Sequence, residues 1–215
     1  MSSPRPVIVL GAGGHALVCI EVLRSCGVDV IGSLSKDGQS TTELGVPMLG
    51  TTDDLERILA EHGAGVFVGV GNNRTRQELT HLVDSAGGSL VDAVSPHAIV
   101  SPTATVERGA LIMPGAVVNA RANIGVAAIV NTRAAVDHEC SIGAWAHIGP
   151  GVAMAGNVEI GDGALVGVGA CVTPGRTIGA WSIVGAGSAV VRDVPSGATV
   201  AGVPAKTTYG SALYR

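Results

Sequence analysis

Aromatic side chains are scarce in this chain of 215 residues, which holds one Phe, two Tyr and two Trp. Globular cores normally draw much of their buried area from aromatic rings. The hydrophobic content is nevertheless 47%, and the chain has 32 glycines. This combination argues against an ordinary globular core and favours a narrow interior filled by small aliphatic side chains.

Charge and cysteine are also sparse. Lys and Arg number 13 against 17 Asp and Glu, and no basic run is present that would favour nucleic-acid binding. The four cysteines form no C-x-x-C pair, which favours free thiols in a reducing compartment. No apolar stretch reaches the length of a membrane span, and the N-terminus lacks a signal-peptide pattern. We therefore expect a cytoplasmic protein with no membrane span and no nucleic-acid partner.

A repeat of six residues runs from residue 98 to residue 193, as sixteen consecutive blocks without an insertion. The third position of every block is Val, Ile or Met. A period of six with one obligatory aliphatic residue predicts a parallel β-helix, in which three blocks complete one triangular coil. We expect the third residue to point into the prism and the small first residue to fit a corner. Gly, Asn or Asp should take the turn positions with positive φ.

Before residue 97 the pattern is that of strands alternating with helices. It predicts strands at 7–10, 28–34, 66–71 and 89–94, with helices at about 15–26, 51–63 and 74–88. Such alternation predicts a small Rossmann-like parallel sheet with right-handed crossovers. The expected fold class is therefore α/β plus all-β, with an α/β domain at 1–96 and a β-helix domain with a short C-terminal tail at 97–215.

A glycine-rich loop, GAGGHA (11–16), follows the first predicted strand. It places backbone N–H groups at a helix N-terminus, where a phosphate is favoured, although a tight strand-to-helix turn is the alternative interpretation. The domain supplies only about half of a full dinucleotide-binding sheet, so a single nucleoside diphosphate fits it better. Asp37 and Gly71-Asn72 follow the next two strands and are expected at the same ligand-binding edge.

Two of the six histidines are candidates for chemistry. His138 lies at the fifth position of its block, between Asp137 and Glu139. An imidazole beside a carboxylate is the arrangement of a general base, and a solvated charged corner is the alternative. His147 lies at a second position, which we expect to face solvent or a neighbouring subunit. We expect no metal between these histidines, because the repeats contain no third one.

Five motifs in order resemble a known family: GAGGHA (11–16), VGVGNN (68–73), NTRAAVDHE (131–139), AHIGPG (146–151) and AGVPAK (201–206). The chain resembles the bacterial nucleotide-sugar acyltransferases of the PglD, NeuD and PerB type, within the hexapeptide-repeat acetyltransferases. The resemblance implies a left-handed β-helix, a homotrimer and a role in glycan assembly. It also implies acetyl transfer from acetyl-CoA to the amine of a nucleotide-linked 4-amino-deoxysugar such as GDP-perosamine, without a metal.

The same resemblance implies roles for individual residues. His138 corresponds to the catalytic base and Glu139 to its acidic partner. The implied acetyl-CoA contacts are His147, Gly156, Val168 and Lys206, and the implied nucleotide-sugar contacts are Gly13, Gly14, His15, Asp37, Gly71, Asn72 and Asn131.

The nucleobase and the type of acceptor stay open at this point. Similar UDP-sugar enzymes carry an acidic pair after the second strand, whereas this chain offers only Asp37 there, so GDP is as compatible as UDP. The alternative functions are O-acetylation of a sialic acid and a non-catalytic or metal-binding β-helix.

Overall fold

A computed structural model describes residues 6–40, 43 and 45–208 of the chain. Its N-terminal part alternates strands and helices: β1 (Val7–Leu10), α1 (Gly14–Ser25), β2 (Val30–Ser35), β3 (Met48–Thr51), α2 (Leu55–His62), β4 (Gly65–Val68) and α3 (Asn73–Ser85). A single 3-10 turn, Thr52–Asp54, leads into α2. The four strands form one parallel sheet in the order β3-β2-β1-β4.

The structure differs from the sequence-based expectation at two strands. Strand β3 was not predicted, because it is a four-residue edge strand, MLGT, that is partly exposed along its whole length and has no clear alternation. The predicted strand at 89–94 is divided between the two parts of the molecule. Leu90 forms an isolated bridge to Val66 of the sheet, whereas Ala93–Val94 pairs with Leu111–Ile112 of the following repeat.

The hexapeptide blocks form a parallel β-helix with three faces. The first face contains Ala93–Val94, Leu111–Ile112, Ile129–Val130, His147–Ile148, Leu165–Val166, Ile183–Val184, Thr199–Ala201 and Lys206–Thr207. The second face contains Ile99–Val100, Val117–Val118, Ala135–Val136, Ala153–Met154, Cys171–Val172 and Ala189–Val190. The third face contains Thr105–Val106, Asn123–Ile124, Ser141–Ile142, Glu159–Ile160 and Thr177–Ile178.

The interior of the β-helix is built from the third and first positions of the blocks. Third-position residues such as Ile112 and Val130 are fully buried, as predicted. First-position residues such as Ala110 and Ala128 are equally buried, so the small residue is part of the core rather than only a corner. A larger side chain at either position would overfill a closely packed interior.

The turn positions depart from the expected residue types. From Gly109 to Gly187 the sixth residue of every block has a positive φ, and only half of these residues are glycine. The others are Arg121, Ala127, Arg133, Glu139, Trp145, Asn157 and Trp181. A bond between coils holds this conformation: the N–H of Glu139 donates to the carbonyl of Ala120, and the N–H of Trp145 to that of Val126, both within 2.9 Å. These bonds offset a left-handed conformation that costs of order 1–3 kcal/mol for a residue with a Cβ.

The three faces have different surroundings, and this difference positions the candidate site. The first face packs against α1, with Leu111 and Ile129 in one buried cluster with Cys19 and Ile20. The third face presents polar outward residues such as Ser141 and Glu159. The second face presents small apolar residues, Ala135, Ala153, Cys171 and Ala189, of which Ala153 and Cys171 are exposed and the other two partly exposed.

Candidate active site

His138 lies on the corner of the prism between the second and third faces. Its Nδ1 is 3.2 Å from Oε2 of Glu139, and the side chain is 56% exposed. A carboxylate only accepts hydrogen bonds, so this contact assigns the proton to Nδ1 and leaves the lone pair on Nε2. Oε1 of Glu139 in turn accepts a 2.5 Å bond from Arg121. The corner therefore presents an oriented imidazole whose free nitrogen can accept a proton.

Asp137 holds the backbone of this corner rather than the imidazole. Its Oδ1 accepts the backbone N–H of His138 at 2.7 Å and the side-chain amide of Asn119 at 3.0 Å. The bond from the His138 backbone, followed by that from Asn119, lowers the pKa of the Asp137 carboxyl. Asp137 thus stays ionised and fixes the turn that carries the histidine.

Gly156 lies one coil further along the prism, beneath the imidazole. A Cβ at this position would collide with Cε1 and Nε2 of His138, so only glycine leaves room for the ring in this orientation. The backbone N–H of Gly156 donates to none of the residues that the structure describes. The corner therefore combines a basic nitrogen with an adjacent unused backbone donor.

A second cluster of polar residues lies where the N-terminal sheet meets the first face. His147 does point out of the β-helix, but the N-terminal domain of the same chain lies outside it: the ring centroids of His15 and His147 are 6.3 Å apart. Nδ2 of Asn131 is 3.0 Å from Nε2 of His147, while Oδ1 of Asn131 accepts the N–H of Thr132 at 2.7 Å. These bonds make Nε2 of His147 an acceptor.

Both histidines of this cluster are held neutral. Burial, followed by the charge of Arg76, lowers the pKa of His147 from 6.5 to about 3. Burial and Arg76 lower the pKa of His15 to about 4. Nε2 of His15 is buried and has no hydrogen-bond partner among the described residues. A buried polar atom normally has a partner, so His15 has a position open for a ligand.

Arg76 on α3 is the buried cation that connects the two parts of the chain. Its guanidinium donates to the carbonyls of Val70 and Gly71 after β4, and to those of Ala127 and Trp145 in the β-helix, at 2.6–3.1 Å. Burial lowers its pKa to about 9. This network fixes the position of the loop after β4 relative to the first face.

A cavity of about 490 Å³ opens at the carboxyl edge of the parallel sheet. Its lining residues are Gly11, Ala12, Leu34, Ser35, Lys36, Thr52, Asp53, Val70, Thr75, Glu78 and Leu79. Beside it, α1 begins at Gly14, and its N-cap Gly13 is extended and contributes no side-chain cap. The first N–H groups of α1 are therefore available to an anion, as expected for the glycine loop.

Asp37 and Asn72 reach this region differently from the sequence-based expectation. Asp37 does not line the cavity: its Oδ1 accepts the hydroxyl of Ser35 and the N–H of Gln39, both at 3.1 Å, and these bonds lower its pKa. Asn72 is the N-cap of α3, with Oδ1 accepting the N–H of Thr75 at 3.0 Å. Asn72 keeps only its amide N–H groups for a ligand.

A second cavity, of about 470 Å³, lies between the start of α3 and the first face. Gly71, Asn72 and Asn73 line one side, and Leu165, Ile183 and Trp181 line the other. The guanidinium of Arg74 lies 4.4 Å from the ring centroid of Trp181. This cavity continues from the cluster of His15 and His147 along the length of the prism.

The remaining predicted residues lie apart from His138. Val168 is 56% exposed on the corner between the first and second faces. Lys206 is exposed in the final strand, which runs antiparallel to Thr199–Ala201. Within one chain the structure thus forms two groups, His138 with Glu139 and Gly156, and His15 with Asn131 and His147, on different sides of the prism.

Sequence reasoning missed Arg76, Arg121 and Asn119. The coil period could have found two of them, because Arg121 and Asn119 lie 18 residues before Glu139 and Asp137. No sequence signal distinguishes Arg76 from other helix arginines. In the described ranges 6–40, 43 and 45–208, no group of three or more potential ligands could hold a metal ion, and no helix is long and apolar enough to span a membrane.

Comparison with known proteins gives consistent results over most of the chain. Residues 6–83 match the family model described as the PglD N-terminal domain. The structure of a histidine-to-alanine variant of GDP-perosamine N-acetyltransferase from Caulobacter crescentus, in complex with CoA and GDP-perosamine, is 45% identical and superposes with a TM-score of 0.92. That match covers 97% of this chain and 99% of the other.

Two further solved structures are also similar over most of their length. The acetyltransferase domain of PglB from Neisseria gonorrhoeae, in complex with acetyl coenzyme A, is 38% identical with a TM-score of 0.89, covering 96% of this chain and 100% of that one. WeeI from Acinetobacter baumannii is 27% identical with a TM-score of 0.83, covering 95% and 100%.

A β-helix of hexapeptide repeats joined to a small parallel-sheet domain, with a histidine exposed on a corner, defines the class of hexapeptide-repeat acyltransferases. Within that class, the chain belongs to the nucleotide-sugar acetyltransferases of the PglD, NeuD and PerB type.

Proposed function

We propose that this enzyme transfers the acetyl group of acetyl-CoA to the amine of a nucleotide-linked 4-amino-deoxysugar of the GDP-perosamine kind. The observation that carries the proposal is the corner at which Glu139 orients His138 and leaves Nε2 free. The α/β domain at 1–96 would bind the nucleotide, and the β-helix domain at 97–215 would carry out the transfer. The solved relative that holds CoA together with GDP-perosamine supports this pairing of substrates.

In the proposed mechanism His138 is the general base. As the sugar amine attacks the thioester carbonyl, Nε2 of His138 takes the proton that the nitrogen loses, and Glu139 stabilises the resulting imidazolium. The N–H of Gly156 is placed to donate to the oxyanion of the tetrahedral intermediate, a type of contact worth about 2.7–4 kcal/mol. Collapse breaks the carbon–sulfur bond, yields the amide and releases CoA, which recovers the proton from His138.

We further propose that the active site forms between subunits of a homotrimer. His138 and the cluster of His15, Asn131 and His147 lie on different sides of one prism, so they act on one substrate pair only if neighbouring chains bring them together. The small apolar second face lies between these two regions. Ile99, Val168 and Val191, which are 68%, 56% and 44% exposed, lie on that face or at its borders, where a neighbouring chain would cover them.

In this arrangement acetyl-CoA would lie along the prism, between the Gly156 corner of one subunit and His147, Val168 and Lys206 of the next. The four cysteines are all free thiols, which supports our assignment to the cytoplasm, where the product would serve glycan assembly.

The direct test measures thiol release from acetyl-CoA with a panel of GDP-, UDP- and dTDP-linked 4-amino sugars. We expect transfer to the amine by the wild type and a loss of about 10²- to 10⁴-fold in kcat for His138→Ala, because general-base catalysis contributes that much. His62→Ala, at an exposed position near the end of α2, is the matched control and should keep full activity.

Three outcomes would contradict the proposal. Thiol release with a free sugar as the only acceptor would favour sialic-acid-type O-acetylation. A folded His138→Ala variant with near-wild-type kcat would remove His138 as the base. A wild-type protein that neither binds CoA nor releases thiol would not be an acetyltransferase.

A further inference from the structure

The cavity at the sheet edge contains two carboxylates, Asp53 and Glu78. Glu78 lies in the second turn of α3, on the same side as Thr75, since residues three apart share one face of a helix. Thr75 and Leu79 also line the cavity. The side chain of Glu78 is therefore carried toward the cavity by a helix whose position is fixed by the buried Arg76 network.

The Glu78 carboxylate is not used within the described part of the chain. It takes part in no ion pair and accepts no hydrogen bond there. Several other carboxylates do have such partners: Asp84 pairs with Arg108, and both Asp54 and Glu61 pair with Arg57. An exposed, unpaired carboxylate in a cavity is available to a ligand that presents N–H or O–H donors.

The cavity combines an anion-binding feature with a carboxylate. At the glycine loop, α1 presents backbone N–H groups that favour a diphosphate. A carboxylate would repel that diphosphate, so Glu78 suits the uncharged base of a nucleotide rather than its phosphates. Leu34 and Leu79, which also line the cavity, provide apolar surface for the faces of an aromatic ring.

The donors of the nucleobases distinguish them at such a carboxylate. Guanine presents two parallel donors, N1–H and the 2-amino group, which match the two oxygens of one carboxylate. Uracil and thymine present a single N3–H between two carbonyl oxygens, so they can engage only one oxygen of a carboxylate. Adenine presents its amino group beside an acceptor nitrogen. A paired contact of this kind discriminates between bases by roughly 5- to 100-fold.

We infer that Glu78 is the specificity-determining residue for the nucleobase, and that it selects a guanosine diphosphate-linked sugar by accepting both guanine donors. The inference rests on the proposed function, because it places the nucleotide of the acceptor in this cavity. It differs from the sequence-based expectation that Asp37, after the second strand, contacts the nucleotide, since Asp37 is bonded within its own turn and does not line the cavity.

The test compares GDP and UDP binding by calorimetry in the intact protein and in three conservative variants. Glu78→Gln should weaken GDP binding by roughly 10-fold or more, because the amide replaces one of the two acceptor oxygens with a donor. UDP binding should stay within about 3-fold of the wild-type value. Glu56→Gln, on α2 and outside the cavity, is the control and should change neither. Asp53→Asn tests the other carboxylate of the cavity.

Activity with GDP- and UDP-linked amino sugars separates this inference from the proposed function. A wild type that acetylates the UDP-linked sugar in preference to the GDP-linked one would overturn the inference and leave the acetyltransferase intact. A wild type that prefers GDP, with a GDP-to-UDP ratio unchanged in Glu78→Gln or altered only in Asp53→Asn, would overturn the role of Glu78. A wild type that acetylates neither, and binds neither nucleotide, would overturn both.

Discussion

Individual histidines of this chain are placed in opposite electrostatic surroundings. His138 is more than half exposed and its Nδ1 contacts a carboxylate. His15 and His147 lie near a buried guanidinium and have strongly lowered pKa values, so they remain neutral at any pH above about 5. The first surroundings suit a group that cycles a proton, and the second suit groups that hydrogen-bond without changing charge.

The lowered pKa values predict a loss of stability in mild acid. The folded protein keeps His147 neutral down to a pKa of about 3, whereas the unfolded chain protonates it near 6.5, so the stabilisation is complete above pH 6.5 and falls as the pH drops. Between pH 6.5 and 5 the free energy of unfolding should fall by about 1.6 kcal/mol for each of His15 and His147. Urea unfolding at pH 6.5 and at pH 5 measures this change in the free energy of unfolding.

The matched variant for this prediction is His147→Gln, which keeps a polar side chain but does not titrate. Its free energy of unfolding should depend on pH about half as steeply over that window. An equally steep dependence in wild type and variant would show that folding does not lower the pKa of His147.

At the scale of elements, helix α3 connects the N-terminal sheet to the β-helix. It is capped by Asn72, contributes Glu78 to one cavity, and is joined to the carbonyls of Ala127 and Trp145 through Arg76. One helix therefore sets the position of the cavity at the sheet edge relative to the repeats.

Replacement of Arg76 by Met should destabilise the protein strongly. The change leaves four buried or partly buried carbonyls without their donor, at about 1–3 kcal/mol for each group that water cannot reach. We expect a loss of at least about 3 kcal/mol in the free energy of unfolding. Arg74→Met on the exposed side of the same helix should cost about 1 kcal/mol or less, because it removes only the contact with Trp181.

Equal losses in the two variants, measured by urea unfolding at pH 7, would contradict a specific role of Arg76. Wild-type stability in Arg76→Lys would also contradict this role. A lysine has one ammonium group, which cannot reach the carbonyls of the loop after β4 and those of the β-helix at once.

At the scale of the whole molecule, the three faces of the prism have different surroundings. The first face supports the N-terminal sheet, the third is polar, and the second is apolar and free in one chain. A large apolar surface on a single chain is typical of an interface. The proposed trimer gives this surface a partner and brings His138 of one chain to the first-face cluster of the next.

Ala153→Glu should therefore dissociate the protein, because it places a carboxylate from each chain in an apolar interface. Ser141→Glu is at the same position of the block two before, on the exposed third face, and should leave assembly unchanged. Analytical ultracentrifugation distinguishes the two: a trimer for wild type and Ser141→Glu, and a monomer for Ala153→Glu. A monomeric wild type, or a trimeric Ala153→Glu, would contradict the proposed interface.

The strictly periodic part of the fold was predictable because its signal is local and repeated. Every sixth residue from Val100 to Val190 reports the same inward position, so the β-helix follows from the sequence. Strand β3 lacked such a signal, since an edge strand of four partly exposed residues has no pattern to distinguish it from a loop. The residues at positive φ were predicted at the right interval, but six of the fourteen from Gly109 to Gly187 are not the expected Gly, Asn or Asp, because bonds between coils override the preference of a single residue.

Sequence alone determined the β-helix, the parallel-sheet domain, the glycine loop and the pairing of His138 with Glu139, because each depends on residues that are close in the chain or fixed by the repeat. Only the tertiary structure decided that His147 lies beside His15, that Arg76 joins the two parts, and that Glu78 rather than Asp37 lines the cavity. These facts depend on how α1 and α3 pack against the first face. That packing results from many weak contacts between distant residues, and no short motif in the sequence encodes it.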